Sequence, residues 1–361
     1  MDRADLARAC VRPETPIREA IARMDSGGVG IALVTDSERR LLGTLTDGDI
    51  RRAILAGHGL DTDVGTFLAD KNNPVYPEPV WMDAGAGPER MLRVMQERRI
   101  RHLPLLDESR RVVDLALLED LLPDQASEPL TAVVMAGGLG SRLRPLTADT
   151  PKPMLDVGGR PLLERTIERL RGAGVHDVVV STRYKAEVVE EHFDDGSRFG
   201  VNVKYLTEGR PLGTAGSLRL MDRPPATMLV INGDVLTSVD FRAMRRFHAD
   251  HGATLTVGVR KYEFSVPYGV VDCDGVHVSG LREKPTYTSF VNAGVYLLEP
   301  EAFDRLGEID GEPFNMTDLI GRLVESGENV VSFPIHEYWM DIGQHEDYDK
   351  AQRDVAAGLA G

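Results

Sequence analysis

The stretch Val133–Leu155 reads VVMAGGLGSRLRPLTADTPKPML. A short apolar run opens into a glycine cluster, and Arg142, Arg144 and Lys152 follow soon after. Glycines let backbone N–H groups approach an anion closely, and cations that follow them can neutralise it. Three phosphate loops compete for this pattern. A Walker loop ends in Gly-Lys-Ser/Thr, and no such sequence follows Gly137. A dinucleotide fingerprint would use Gly138, Gly140 and a third glycine where Leu143 stands. The next strand, DVVVSTR, also ends in Ser181, Thr182 and Arg183 rather than an acidic residue. The third possibility is a loop that holds a triphosphate, with Arg142 and Lys152 neutralising it. Glycines that only shape a tight turn would leave the cations and the PKP segment unexplained.

Outward from this loop, apolar strands alternate with amphipathic helices. TAVVMAG, DVVVSTR and TMLVING read as short buried strands. In RPLLERTIERLRGAG, Leu162, Leu163, Ile167 and Leu170 fall on one helical face, with Pro161 suited to the first turn and Gly172 and Gly174 to the end. Alternation of this kind predicts an α/β fold, a doubly wound and mostly parallel sheet with helices on both faces. Ligands of such sheets bind beyond the carboxyl ends of the strands, where the glycine loop would lie.

The chain has 361 residues, long enough for two domains. Its 42% apolar and 27% charged content describes a soluble globular protein. No apolar run approaches the roughly 18 residues that span a bilayer. MDRADLARAC carries no cleavable apolar segment, so a cytoplasmic location and no membrane partner are expected. Cys10 and Cys273 lie too far apart to suggest a disulfide framework or a zinc site. With 42 basic against 57 acidic residues the net charge is −15, which argues against nucleic acid as a partner.

The region before Leu121 repeats itself. TPIREAIARMDSGG, GIALVTD, SERR, LLGTLT and DGDIRRAIL follow in order, and then GPERMLRVMQERRI, RHLPLLD, ESRR, VVDLAL and LEDLL. Helix, strand, turn, strand and helix thus occur twice, with matching turns. This repeat resembles a pair of CBS domains, α+β modules that often bind adenine nucleotides and commonly dimerise. Their ligand motif, Gly, two residues, Ser or Thr, two residues, Asp, is matched by Gly43, Thr46 and Asp49. The resemblance implies a regulatory nucleotide whose ribose meets Thr46 and Asp49, although Thr46 could equally serve only to cap the next helix. In the second unit Asp114 and Leu117 replace the glycine and the hydroxyl residue, and only Asp120 is retained. The expected organisation is a CBS pair over 1–122, a linker over 123–130 and a second domain over 131–361, in a chain expected to form a homo-oligomer.

In that second domain MAGGLGSRLRPLTADTPKPMLDVGGRPLLE resembles the signature of sugar-1-phosphate nucleotidyltransferases, the nucleotide-diphospho-sugar pyrophosphorylases. TEGRPLGTAGSL, INGDVL, YGVV, REKP, VNAGVYLL and WMDIG follow in the family's order. The resemblance implies a Rossmann-like, GT-A-like domain joining a sugar 1-phosphate to the α-phosphate of a nucleoside triphosphate, with release of pyrophosphate. Two anions must meet, so a divalent cation, Mg²⁺, and several positive side chains are expected. Asp234 and Asp341 would be the protein ligands of the metal. Arg142 would stabilise the β- and γ-phosphates, Lys152 would reach the α-phosphate and Lys284 would hold the attacking sugar phosphate. Ala136, Gly137, Gly138, Gly140, Ser141, Glu208, Gly213 and Thr214 would line the nucleotide, and Gly269, Glu283 and Asn292 would complete the sugar pocket. No general base is required, because a phosphate oxygen is already anionic.

Glu208 bears on the base. Guanine presents adjacent N1–H and N2–H donors, which a carboxylate accepts together; uracil and thymine offer an N–H beside carbonyls, better matched by an amide. Several guanylyltransferases of the family pair a glutamate with PLGTAG, so GTP is the first choice, with UTP and CTP as alternatives. Fusion of CBS modules to this transferase resembles enzymes that supply activated amino sugars to bacterial nonulosonic-acid pathways. Glucosamine 1-phosphate, mannose 1-phosphate and a heptose 1-phosphate are the candidate acceptors. A catalytically silent sensor of nucleotide sugars is a different kind of alternative, but every expected metal ligand and phosphate cation is present.

Overall fold

Residues 6–7, 9–27, 30–70, 78–121, 130–307 and 313–360 are described by the computed structural model of the chain. They divide into two units, Met1–Ser127 and Glu128–Gly361. The linker expected over 123–130 lies outside the described residues except for Leu130. Among the described residues no helix is long and apolar enough to cross a membrane.

In the first unit β1 (Cys10–Val11), β2 (Ile31–Thr35) and β3 (Leu41–Thr46) form one sheet, and β4 (Met82–Asp83), β5 (His102–Leu106) and β6 (Val112–Leu117) form another. Each sheet has one parallel and one antiparallel pair, and the bulge falls at the equivalent place in both. Asp114 faces Leu105 in the register where Gly43 faces Val34, so the two copies align as the sequence pattern implies. Both turns are closed by an aspartate. Asp36 accepts from the N–H groups of Glu38 and Arg40, and Asp107 from those of Ser109 and Arg111. Three residues after each aspartate, Arg39 and Arg110 turn left-handed at φ 65° and 61°. The turns then bond each other reciprocally, Leu41 N–H to Arg110 O and Val112 N–H to Arg39 O. Leu33 and Leu41 of one copy share a core with Leu106 and Leu115 of the other. Neither copy could bury that surface alone, which is why the repeat is a pair.

The second unit is built on a seven-stranded sheet. Its members are β7 (Thr131–Met135), β8 (Asp177–Thr182), β9 (Asn202–Thr207), β10 (Met228–Asn232), β12 (Leu255–Ser265), β15 (Thr286–Leu298) and β16 (Val330–Pro334), in the order β16-β12-β15-β10-β7-β8-β9. All neighbours are parallel except around β15, which runs antiparallel to both β10 and β12. Alternation along the strands feeds two cores. Ala132, Val134, Val178 and Val180 face one, with Leu163, Ile167 and Leu170 of helix α1 (Leu162–Gly172). Val133, Val179, Met228 and Val230 face the other, with Leu319 and Leu323 of helix α2 (Met316–Glu325). The sheet is therefore doubly wound, as its apolar runs imply. Pro161 flanks α1 at its N-cap rather than entering the first turn, and Leu162 packs into a separate cluster with Leu143 and Met340. The chain leaves β7 toward β8 and β9 and returns on the opposite side as β10. The crevice of the fold thus opens between the carboxyl ends of β7 and β10.

Candidate functional site

Glycines lie on both sides of this crevice. Gly233, after β10, donates to Met135 O at 2.8 Å, and a Cβ there would lie 2.8 Å from the same oxygen. Ala136 N–H donates to Ser181 O across the top of β8. Beyond it the chain runs through Gly137 and Gly138 to Gly140, which adopts φ 60° and is tied by Thr147 Oγ1. Ser141 and Arg142 stay exposed in a short 3₁₀ turn, while Leu143 is fully buried and anchors it.

Lys152 and Asp234 meet from opposite walls. Lys152 Nζ lies 2.6 Å from Asp234 Oδ2, and the lysine side chain is 12% exposed against 32% for the aspartate. The cation expected on the α-phosphate thus neutralises the carboxylate expected on the metal. Asp341 is brought alongside by β11 (Val235–Thr237) pairing antiparallel with β17 (Trp339–Asp341), which sets Val235 opposite Asp341. Ile342 N–H closes the register on Asp234 O at 3.0 Å. Lost hydration and the neighbouring charge of Asp234 push the Asp341 carboxyl above its usual range, with Lys152 and Arg142 opposing the rise. Two crowded carboxylates suit a dication. Among the described residues no group of three or more His, Cys, Asp or Glu could hold a metal, so further ligands would have to be substrate oxygens and water.

The structure thus gathers Arg142, Lys152, Asp234 and Asp341. Asn292 Oδ1 accepts from Gly294 N–H at 3.0 Å, and the nearby Tyr296 hydroxyl is pushed up to about 12, chiefly by burial and further by the charge of Asp234, with Asn292 opposing the rise. The remaining sugar-site candidates gather elsewhere on the same arm, where β13 (Val270–Asp274) and β14 (His277–Arg282) form a hairpin. A Cβ on Gly269 would lie 3.0 Å from Glu283 Oε2. Glu283 and Lys284 are exposed, and Lys284 is left-handed at φ 44°. Neither hydrogen-bonds the paired aspartates.

Glu208 is buried rather than facing solvent, at 9% exposure. Its Oε1 accepts from Ser181 Oγ at 2.6 Å, and its Oε2 from Leu212 N–H at 3.1 Å. Gly137 admits it, since a Cβ there would stand 2.8 Å from Oε1. Gly213, at φ 86°, packs on the backbone of Phe314. Thr214 Oγ1 accepts from Met316 N–H, so the start of α2 fixes this loop. Ser181 and Phe314 went unrecognised in the sequence, where a strand-end serine and a loop phenylalanine carry no signal of their own. In the first unit Thr46 caps the helix Asp47–Leu55 in a reciprocal box with Asp49, and Asp49 also pairs with Arg52. The capping role of Thr46 is therefore real, and Gly43 is kept small by Leu68.

The model of the nucleotidyl transferase family matches residues 131–358, and that of the CBS domain residues 5–56. Among curated relatives, the mannose-1-phosphate guanyltransferase of Schizosaccharomyces pombe is 34% identical over 233 residues, 61% of this chain and 62% of that one. The mannose-1-phosphate guanylyltransferase of Mycobacterium tuberculosis is 34% identical over 242 residues, 65% of this chain and 67% of its own. The chain thus spans about 62% of the first of these relatives. A solved structure of a candidate glucose-1-phosphate thymidylyltransferase from Bacillus anthracis shares the fold, with a TM-score of 0.51, 24% identity, and coverage of 62% of this chain and 94% of that one. With the matched segment spanning the glycine loop, both aspartates and the whole seven-stranded sheet, the chain belongs to the nucleotidyl transferase family.

Proposed function

We propose that the protein transfers a guanylyl group from GTP to a sugar 1-phosphate, giving a GDP-sugar and pyrophosphate. The observation that carries this is the convergence of Asp234, Asp341, Lys152 and the glycine loop at the switch point of the sheet. A phosphate oxygen of the sugar attacks the α-phosphorus, and the bond to the β-phosphate breaks. No proton need move.

Asp234 and Asp341 would hold Mg²⁺, which would lower the repulsion between the reacting anions. Lys152, now paired with Asp234, would hold the α-phosphate. Arg142, exposed at the loop, would meet the departing pyrophosphate. Ala136, Gly137, Gly138, Gly140 and Ser141 would line the phosphates with backbone groups. Gly213 and Thr214, held by the start of α2, would line the nucleoside. Glu208 supports guanine: each of its oxygens accepts one described bond, leaving a second acceptor position on each for the paired N–H groups of the base. Gly269, Glu283, Lys284 and Asn292 would receive the sugar phosphate. Mannose 1-phosphate is the first acceptor to test, because the relatives bear that name; glucosamine 1-phosphate and a heptose 1-phosphate follow. A regulatory nucleotide at the first CBS copy would place its ribose on Thr46 and Asp49.

Incubation of the full chain with Mg²⁺, each of four nucleoside triphosphates and a panel of sugar phosphates, following pyrophosphate, tests the proposal. Turnover should be greatest with GTP. Preference for UTP or CTP would overturn the base assignment, and no turnover with any pair would favour a sensor.

A further inference from the structure

Ser181 has no part in the reaction outlined above, yet three elements of the site meet on it. It ends the apolar run of β8 and is fully buried. Its carbonyl oxygen accepts from Ala136 N–H at 2.8 Å, which fixes the first residue of the glycine loop. Its hydroxyl donates to Glu208 Oε1 at 2.6 Å, within the range of charge-assisted O–H···O⁻ bonds. The chain reaches Glu208 directly from β9, where Glu208 N–H donates to Thr182 O at 2.8 Å. One serine therefore registers the phosphate loop against the carboxylate beside it.

The second partner of Glu208 is of a different kind. Leu212 N–H points at Oε2 as a fixed donor, and its position is set by the loop that Phe314 grips through Leu212 O and Ala215 N–H. A backbone N–H cannot become an acceptor, whereas a serine hydroxyl can rotate to donate or accept. With Ser181 donating, position 208 must accept at both oxygens, and only a carboxylate does so. Both oxygens then present acceptor capacity, the complement of guanine. If Ser181 turned to accept, a group with one acceptor and one donor would be tolerated, which is the pattern of an amide and the complement of uracil.

We propose that Ser181 is a specificity-determining positioning residue, which fixes the orientation of the Glu208 carboxylate toward the base and so sharpens the preference for guanine. The inference rests on the proposed use of GTP. It concerns binding of the base, not the phosphates, and so separates KM from kcat.

Purified full chain, Ser181→Ala, Glu208→Gln and the double variant are compared for kcat and KM with GTP and UTP, with thermal melts to verify folding. In Ser181→Ala the KM for GTP should rise roughly tenfold, the consequence of losing one hydrogen bond to a charged group, with kcat changed by less than about threefold. The KM for UTP should not rise, so the GTP preference falls by the same factor. Because Ser181 acts through Glu208, removing it from Glu208→Gln should alter GTP binding little further. Should Ser181→Ala fail to fold, Ser181→Cys keeps the volume while weakening the donor, and the same comparison holds. A wild type that favours GTP while Ser181→Ala keeps that preference, or loses GTP and UTP equally, overturns the inference alone. A wild type that favours UTP overturns the guanine assignment and this inference with it.

Discussion

Replacement of Asp234 by asparagine tests the ion pair and the proposed metal site together. The side chain keeps its size but loses the charge that faces Lys152 Nζ at 2.6 Å. Lys152, only 12% exposed, would be left as a largely desolvated cation beside a neutral amide. Breaking a fully buried pair from one side costs about 3–5 kcal/mol, and an exposed pair is worth about 0–1 kcal/mol. Asp234 keeps a third of its exposure, so solvent screens the pair and the loss should lie near 1–2 kcal/mol. In a domain of this size that lowers Tm by about 2–8 °C, readily seen by calorimetry and far short of unfolding the protein at 25 °C. Turnover should fall by about a thousandfold or more, since the variant loses a negative ligand for the metal. A second readout is internal to the site. The Asp234 charge helps raise the Asp341 carboxyl, so in the variant that carboxyl should titrate lower, as followed by NMR. Pyrophosphate release in Mg²⁺ at a rate within tenfold of wild type would refute the assignment of Asp234 to the metal.

Other outcomes follow from the same geometry. Glu208→Gln should weaken GTP by about tenfold more than UTP, measured as kcat/KM for each; equal losses would mean that Glu208 does not read the base. Gly213→Ala places a Cβ 2.5 Å from Phe314 O at φ 86°, so it should destabilise the protein by about 2–4 kcal/mol and raise the KM for GTP, checked by denaturant melts and kinetics. The raised Asp341 carboxyl gives a pH dependence of definite sign. Its folded-state value lies above the unfolded one, so the native protein holds the proton more tightly and this group's contribution to stability falls as pH rises through that interval. Metal affinity should run the opposite way, weakening as acid protonates the raised Asp341 carboxyl. Calorimetric titration of Mg²⁺ at stepwise lower pH, starting from pH 7, reads this, and an affinity unchanged until the protein unfolds would contradict it.

Much of this was legible in the sequence because it rests on local patterns. Buried parallel strands such as Ala132–Val134 and Val178–Val180 must be apolar on both faces, so they appear as unbroken apolar runs. The repeat in the first unit was equally plain, since each copy carries its own aspartate-closed turn. What lay hidden depends on long-range approach. The Lys152–Asp234 pair joins residues on opposite walls of the crevice, and no spacing in the chain announces it. Asp341 reaches Asp234 only through the register of a two-stranded sheet formed far along the chain. The burial of Glu208 requires the absent side chain of Gly137, whose glycine suggested only room for a phosphate. Gly43, Thr46 and Asp49 form a pattern that a nucleotide motif and a helix cap share, and the capping box satisfies the second in full.

The proposed reaction requires Asp234 and Asp341 to act together on one divalent ion. Anomalous diffraction from crystals of the full chain grown with Mn²⁺ and GDP-mannose measures this directly. The predicted result is an ion bound by both carboxylates and a diphosphate oxygen, with Lys152 released from Asp234 onto the phosphate. An ion on the diphosphate with either aspartate turned away, and the Lys152–Asp234 pair intact, would contradict it.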